Sequence, residues 1–265
     1  MLTGLLIGVP LAYLALVALA WTFQGSLIYP IPPVRTEAAA GFAPIEYTTQ
    51  DGLTLSAGYR APRGDRPTLL FFHGNGADWQ TTEYVTRDLA VLGYGVLAAE
   101  YRGYGGNPGS PHEAGLYADA RSAWDWLIAQ GTSPEQIVIV GNSIGSGPAT
   151  QLASEEEALA LVLISPFASL EETAARKMRF LPVRLLLRDR YDNLAKFPAI
   201  TEPVLILHGE RDQLITLDQS QDLAAARDGA ELEVYPGWGH DLVVHEGVQG
   251  RIAQFLQAVR SNRGR

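Results

Sequence analysis

The chain has 265 residues, 47% hydrophobic and 18% charged, enough to bury a full core in one domain and too apolar for disorder to be the default. Its formal net charge of −9 at pH 7 opposes the phosphate neutralisation that nucleic-acid affinity needs, which argues against nucleic acid as a partner. With no cysteine, disulfides, zinc thiolates, iron–sulfur clusters and thiol nucleophiles are excluded, while the redox compartment stays open.

No charged side chain precedes Arg35, and residues 2–23 are dominated by Leu, Ala, Val and Ile. About 20 such residues cross the hydrocarbon core as a helix, so residues 1–25 are expected to form a retained, single-pass membrane anchor. Trp21 and Tyr29 suit the interface. Ala18-Leu19-Ala20 has the spacing of a signal-peptidase site, but the run lacks a basic n-region and is longer than an ordinary h-region. Only Arg35 bears on orientation, so the side of the membrane is left undecided. Pro30, Pro32 and Pro33 predict a stiff linker over residues 26–39, and the soluble domain should begin at residue 40.

Residues 45–49 and 53–59 flank Asp51-Gly52 and read as an antiparallel hairpin. Apolar runs at residues 68–72, 95–99, 137–140 and 159–164 then alternate with helical stretches at 81–92 and 112–129, the pattern of a parallel sheet covered on both faces. A strand at 204–207, a helix at 218–227, a strand at 232–235 and a helix at 248–260 continue it. Between residues 169 and 201 the alternation gives way to a short helical cap carrying Arg176, Lys177, Arg179, Arg184, Arg188, Arg190 and Lys196 among apolar residues. Two readings stand: these cations pair with acids such as Asp189 and Asp192, or they contact anionic lipid head groups beside the anchor.

Gly141-Asn142-Ser143-Ile144-Gly145 follows one buried run and opens a helix, the context of a nucleophile elbow. A dinucleotide turn is disfavoured because the GxGxxG spacing is absent. A serine hydroxyl needs a base, and in the chain order of elbow hydrolases that base comes last. His240, in the loop after the last predicted strand, is preferred to His245. His73 and His208, at strand ends, read as structural, and His112 opens a helix. The acid is expected to be Asp212, just past residues 204–207, in preference to Glu210 and Asp218. Backbone N–H groups of Ile144 and of Asn75, in His73-Gly74-Asn75-Gly76, are the candidate oxyanion donors.

Together these motifs resemble the α/β-hydrolase superfamily, and more closely its membrane-anchored bud-emergence-like or abhydrolase-domain branch. The resemblance extends to Phe23-Gln24-Gly25-Ser26-Leu27-Ile28-Tyr29-Pro30, to Tyr101-Arg102-Gly103-Tyr104-Gly105-Gly106-Asn107-Pro108-Gly109-Ser110-Pro111, and to Arg188-Asp189-Arg190-Tyr191-Asp192-Asn193. Asn142 departs from the larger or charged residue common before the nucleophile. The resemblance implies an acylhydrolase or thioesterase acting on lipid-like or acylated substrates; relatives often carry a serine aminopeptidase label. The expected mechanism needs no metal or organic cofactor. A peptidase on the same scaffold and a catalytically silent, membrane-bound binding module are the rival expectations.

Overall fold

The computed structural model describes residues 2–34 and 41–263. The N-terminal run forms one helix, α1 (Leu2–Ile28). Its segment Gly8–Ile28 is long and apolar enough to cross a membrane. The helix ends three residues later than the expected anchor, so the linker expected from residue 26 starts at Tyr29. Pro30 disfavours helical geometry at the residue before it, and the Ile28 carbonyl is taken by the Asn75 side chain (2.7 Å). Arg35, the remainder of the expected linker to residue 39 and the expected domain start at residue 40 lie outside the described residues.

Strands β1 (Ala43–Thr48) and β2 (Thr54–Arg60) form the expected hairpin, with Thr48 opposite Thr54 and Gly52 at φ +90° in the turn. Then come β3 (Thr68–Phe72), α2 (Thr82–Val91), β4 (Gly95–Ala99), α3 (Glu113–Ala129), β5 (Ile137–Asn142), α4 (Ser146–Ala153) and β6 (Ala160–Ile164). The cap contributes α5 (Leu170–Lys177), α6 (Val183–Leu186) and α7 (Asn193–Lys196). After it follow β7 (Val204–Gly209), α8 (Leu217–Ala225), β8 (Glu231–Tyr235) and α9 (Glu246–Arg263).

The strands form one sheet in the order β1-β2-β4-β3-β5-β6-β7-β8, antiparallel at β1 and β2 and parallel thereafter. Strands β3, β4, β6 and β7 are buried throughout, which is why they read as unbroken apolar runs. Successive residues still serve opposite layers. Leu70, Phe72, Ile139 and Leu163 pack with Leu116 and Trp124 of α3 and Leu152 of α4, whereas Leu69, Phe71, Val138 and Val140 pack with Leu89 of α2 and Ile252, Phe255 and Leu256 of α9. At about 1.5–3 kcal/mol for each such side chain, these two layers are the main stabilising contribution and hold the C-terminal strand edges rigid.

Ser169 caps α5 by accepting from the Glu172 N–H, and Asp192 caps α7 by accepting from the Ala195 N–H. The cap arginines find partners other than those expected. Arg176 pairs with Glu172 (2.6 Å) and Asp218 (2.6 Å), and Arg190 with Glu171 (3.2 Å). Asp192 is committed to its cap, and Asp189 accepts a hydrogen bond from the Tyr29 hydroxyl (2.8 Å). The cap is also fastened to α1: Gln24 donates to the Leu186 carbonyl (3.2 Å) and accepts from the Arg188 N–H (2.9 Å), and Tyr13 donates to the Phe180 carbonyl (3.0 Å).

Candidate active site

At the end of β5 the chain turns through residues 143–145 directly into α4. Ser143 is held at φ +52°, in the left-handed region that a non-glycine residue adopts at a cost of about 1–3 kcal/mol. Its carbonyl accepts from the Ser146 hydroxyl (2.6 Å). The flanking glycines are there for space: a Cβ on Gly141 would stand 2.6 Å from the Gly145 carbonyl oxygen, and one on Gly145 would meet the carbonyls of Phe72 and His73. The elbow is thus pressed against β3 with its serine pushed clear of the sheet.

His240 begins the turn that follows β8, and Asp212 lies in the loop after β7. The structure brings them to Ser143: Ser143 Oγ is 2.8 Å from His240 Nε2, and His240 Nδ1 is 2.7 Å from Asp212 Oδ2. The other Asp212 oxygen accepts from the Leu214 and Ile215 N–H groups (2.8 and 2.9 Å). Burial alone would raise the Asp212 pKa. The His240 hydrogen bond and charge, with the two N–H donors, outweigh it and hold the carboxyl below its ordinary value.

The alternatives weighed from the sequence lie elsewhere. His245 stacks edge-on against Tyr235 and Trp238 and accepts from the Gly247 N–H, while Asp218 sits on α8 facing Arg176. Glu210 accepts from the Gly237 N–H and so braces the loop that leads to His240. His208 is buried, with Nε2 3.0 Å from the Ile215 carbonyl and Nδ1 2.7 Å from the Ser220 hydroxyl. Since a carbonyl only accepts, Nε2 carries the proton and Nδ1 accepts from Ser220. Burial lowers the His208 pKa, so it stays neutral and leaves Asp212 to His240.

The glycine loop after β3 runs beside Ser143, where a Cβ on Gly74 would lie 3.4 Å from Ser143 Cβ. The Asn75 side chain is engaged at both ends, donating to the Ile28 carbonyl and accepting from the Tyr104 hydroxyl (3.1 Å). Asn75 and Ile144 border the same cavity of about 220 Å³ as Ser143, walled by Phe167, Leu170, Ala174 and Met178 and by Leu27 and Ile28 of α1.

A buried network that the sequence did not reveal supports this loop. His73 Nε2 is 2.7 Å from Glu100 Oε1, and His73 Nδ1 is 2.9 Å from the Gly74 carbonyl. Glu100 also accepts from the N–H groups of Trp79 and Tyr101, and the Tyr101 hydroxyl donates to the His73 carbonyl (2.8 Å). Burial opposes a charge on His73, but the Glu100 carboxylate outweighs it and raises its pKa. Ser165, also missed, sits at φ +47° after β6 and donates to the His240 carbonyl (3.2 Å).

A serine on a strand–helix elbow, reached by a histidine after the last strand and an aspartate after β7 on this sheet order, defines the α/β-hydrolase fold. Residues 67–196 match the model of the alpha/beta hydrolase fold family. An uncharacterized protein of Mycobacterium tuberculosis is 38% identical over 249 residues, covering 91% of this chain and 87% of its own length. Alpha/beta hydrolase domain-containing protein 17C of Xenopus tropicalis is 33% identical over 218 residues, covering 79% and 68% respectively. Among solved structures, an esterase of Pyrococcus furiosus superposes with a TM-score of 0.71 at 24% identity, over 86% of this chain and 97% of that one. The chain belongs to the α/β-hydrolase fold family.

Proposed function

We propose that this protein is a membrane-anchored serine hydrolase cleaving carboxylic ester or thioester bonds of lipid-like or acylated substrates. The observation that carries the reading is the hydrogen-bonded series Ser143–His240–Asp212, with distances of 2.8 and 2.7 Å, opening into an apolar cavity walled partly by α1. His240 takes the Ser143 proton as Oγ attacks the acyl carbonyl, and Asp212 stabilises the imidazolium that forms. The N–H groups of Asn75 and Ile144 receive the oxyanion, His240 returns the proton to the leaving oxygen or sulfur, and water releases the acyl group by the same steps in reverse order. The esterase name of the Pyrococcus structure agrees with an ester rather than an amide substrate.

In the same reading α1 crosses the bilayer once and concentrates lipid substrate at the site. The cap cations not committed to acids face anionic head groups: Arg188, stacked 4.0 Å over the Trp21 ring, stands where an interfacial residue meets the helix.

The experiment is fluorophosphonate labelling of the detergent-solubilised protein, wild type against Ser143→Ala, with p-nitrophenyl butyrate and palmitate hydrolysis measured in parallel. Labelling should vanish in the variant and turnover should fall by about a thousandfold or more. A wild type that is neither labelled nor active would favour a binding module instead.

A further inference from the structure

A second apolar hollow, about 50 Å³, lies between α1 and the cap, lined by Ala20, Gln24 and Leu27 on the helix and by Leu181 and Leu186 on the cap. It shares Leu27, Ile28, Ala174 and Met178 with the Ser143 cavity, so the same four side chains wall both spaces. Polar groups along this seam are already satisfied. The Gln24 amide is spent on the Leu186 carbonyl and the Arg188 N–H, leaving its methylenes toward the groove. From Ile28 back to Ala20 the groove follows α1 for about 12 Å at 1.5 Å per residue.

The cap also stands at the depth of the apolar helix. Its Phe180 carbonyl reaches Tyr13, about 22 Å along α1 from Ile28. Beside it, Phe180 and Leu185 are 61% and 86% exposed, large apolar side chains bare to solvent on the part of the cap that climbs the helix. A single exposed apolar side chain is ordinary, but Phe180 and Leu185 together on a segment bound to a span-length apolar helix point to lipid as their surroundings.

We propose that this groove is an acyl-chain subsite: one hydrocarbon chain of a bilayer-resident substrate enters sideways between α1 and the cap, lies along Ala20, Leu27 and Ala174, and presents its carbonyl carbon to Ser143. The anchor is then a wall of the substrate site as well as a tether. The proposal rests on the reading of Ser143 as an acyl-transfer nucleophile and names the substrate class of that same site. At about 50 Å³ the hollow is smaller than the chain it would take, so the chain enters only as the lining side chains part, and Met178, at the junction of the two hollows, is the flexible one that moves to admit it.

The test uses full-length protein in lipid nanodiscs. Ala20→Trp fills the far end of the groove, remote from Ser143, and Leu19→Trp places the same bulk on the neighbouring, lipid-facing side of α1. Ala20→Trp should lower the palmitate-to-butyrate ratio of kcat/KM by about tenfold, and Leu19→Trp should leave both esters unchanged. An unchanged palmitate-to-butyrate ratio in Ala20→Trp overturns the subsite. If the wild type hydrolyses neither ester, the acyl-transfer reading fails and the groove is judged by binding alone. A diazirine analogue of palmitate in the Ser143→Ala protein should then label cap peptides containing Ala174, Met178 or Leu186, with labelling suppressed by Ala20→Trp. Adducts confined to the outer face of α1 overturn the subsite in that assay as well.

Discussion

Asp212 and Glu100 do comparable work on two histidines with opposite consequences. Asp212 accepts one bond from His240 and two from the backbone, so Asp212→Asn keeps the loop contacts but offers His240 the wrong partner. Its turnover should fall by about three to four orders of magnitude with the fold retained, as read by ester hydrolysis beside circular dichroism. Glu100 never touches the cavity. Glu100→Gln leaves His73 buried without its counter-charge and should destabilise the protein by about 3 kcal/mol, seen as a drop in thermal midpoint; an unchanged midpoint would remove the network from any account of stability. That Ser143, His240 and Asp212 come together was legible in the sequence because the fold class ties each of these positions to a strand end. Glu100 was not, since its partner lies 27 residues away and a lone histidine before a glycine looks like any strand terminus.

The elements themselves were largely readable, because β3, β5, β6 and β7 are apolar on both faces and the helices between them carry one apolar side. What the periodicity could not show is how loops become rigid. The block from Tyr101 to Pro111 was prominent as a motif, and the structure gives its physical purpose. Arg102 bridges Asp119 of α3 (2.7 Å) and Asp51 of the hairpin turn (2.7 Å), Asn107 holds the β2 backbone at Ser56, and Tyr104 holds Asn75. The distant partners of the cap arginines, Asp218 for Arg176 and Glu171 for Arg190, were likewise hidden, and the nearer Asp192 and Asp189 are engaged by the α7 cap and by Tyr29. At this scale the elbow makes a sharp prediction. Gly145→Ala drives a methyl into the β3 backbone and should give a protein that fails to fold or loses more than about 3 kcal/mol, whereas Gly250→Ala on α9, with open space around it, should be neutral or slightly stabilising.

Over the whole molecule, titration of two buried groups acts in one direction. Burial pushes the Glu202 carboxyl up to about 7, and one of its oxygens has no hydrogen-bond partner. A raised folded-state value means that its contribution is fully present below the unfolded value near 4.5 and is lost as pH climbs through about 7. His73, also raised, contributes below its unfolded value near 6.5 and loses that contribution at higher pH. Asp212, lowered, works the other way, but only below the ordinary carboxylate range. The thermal midpoint should therefore decline from neutral to alkaline pH, above the range in which the lowered His208 acts in the opposite direction, and Glu202→Gln should raise it at pH 8 while changing little at pH 4. A midpoint that rises steadily from pH 5 to pH 8 would contradict this assignment.

The seam between α1 and the cap joins residues 160 to 167 positions apart in the chain. Synthesis runs from the N-terminus, so the ribosome finishes the helix long before Phe180, Leu186 or Asp189 exists. During that interval the cap residues Leu181 and Leu186 do not yet cover the face of α1 that carries Ala20 and Gln24, and in the proposed reading lipid does. On the anchoring proposed above, insertion precedes closure, and the cap closes late around a helix already in place. A chain made without its first helix reaches the same moment with the inner side of the cap bare, and aggregation is the natural fate of that surface.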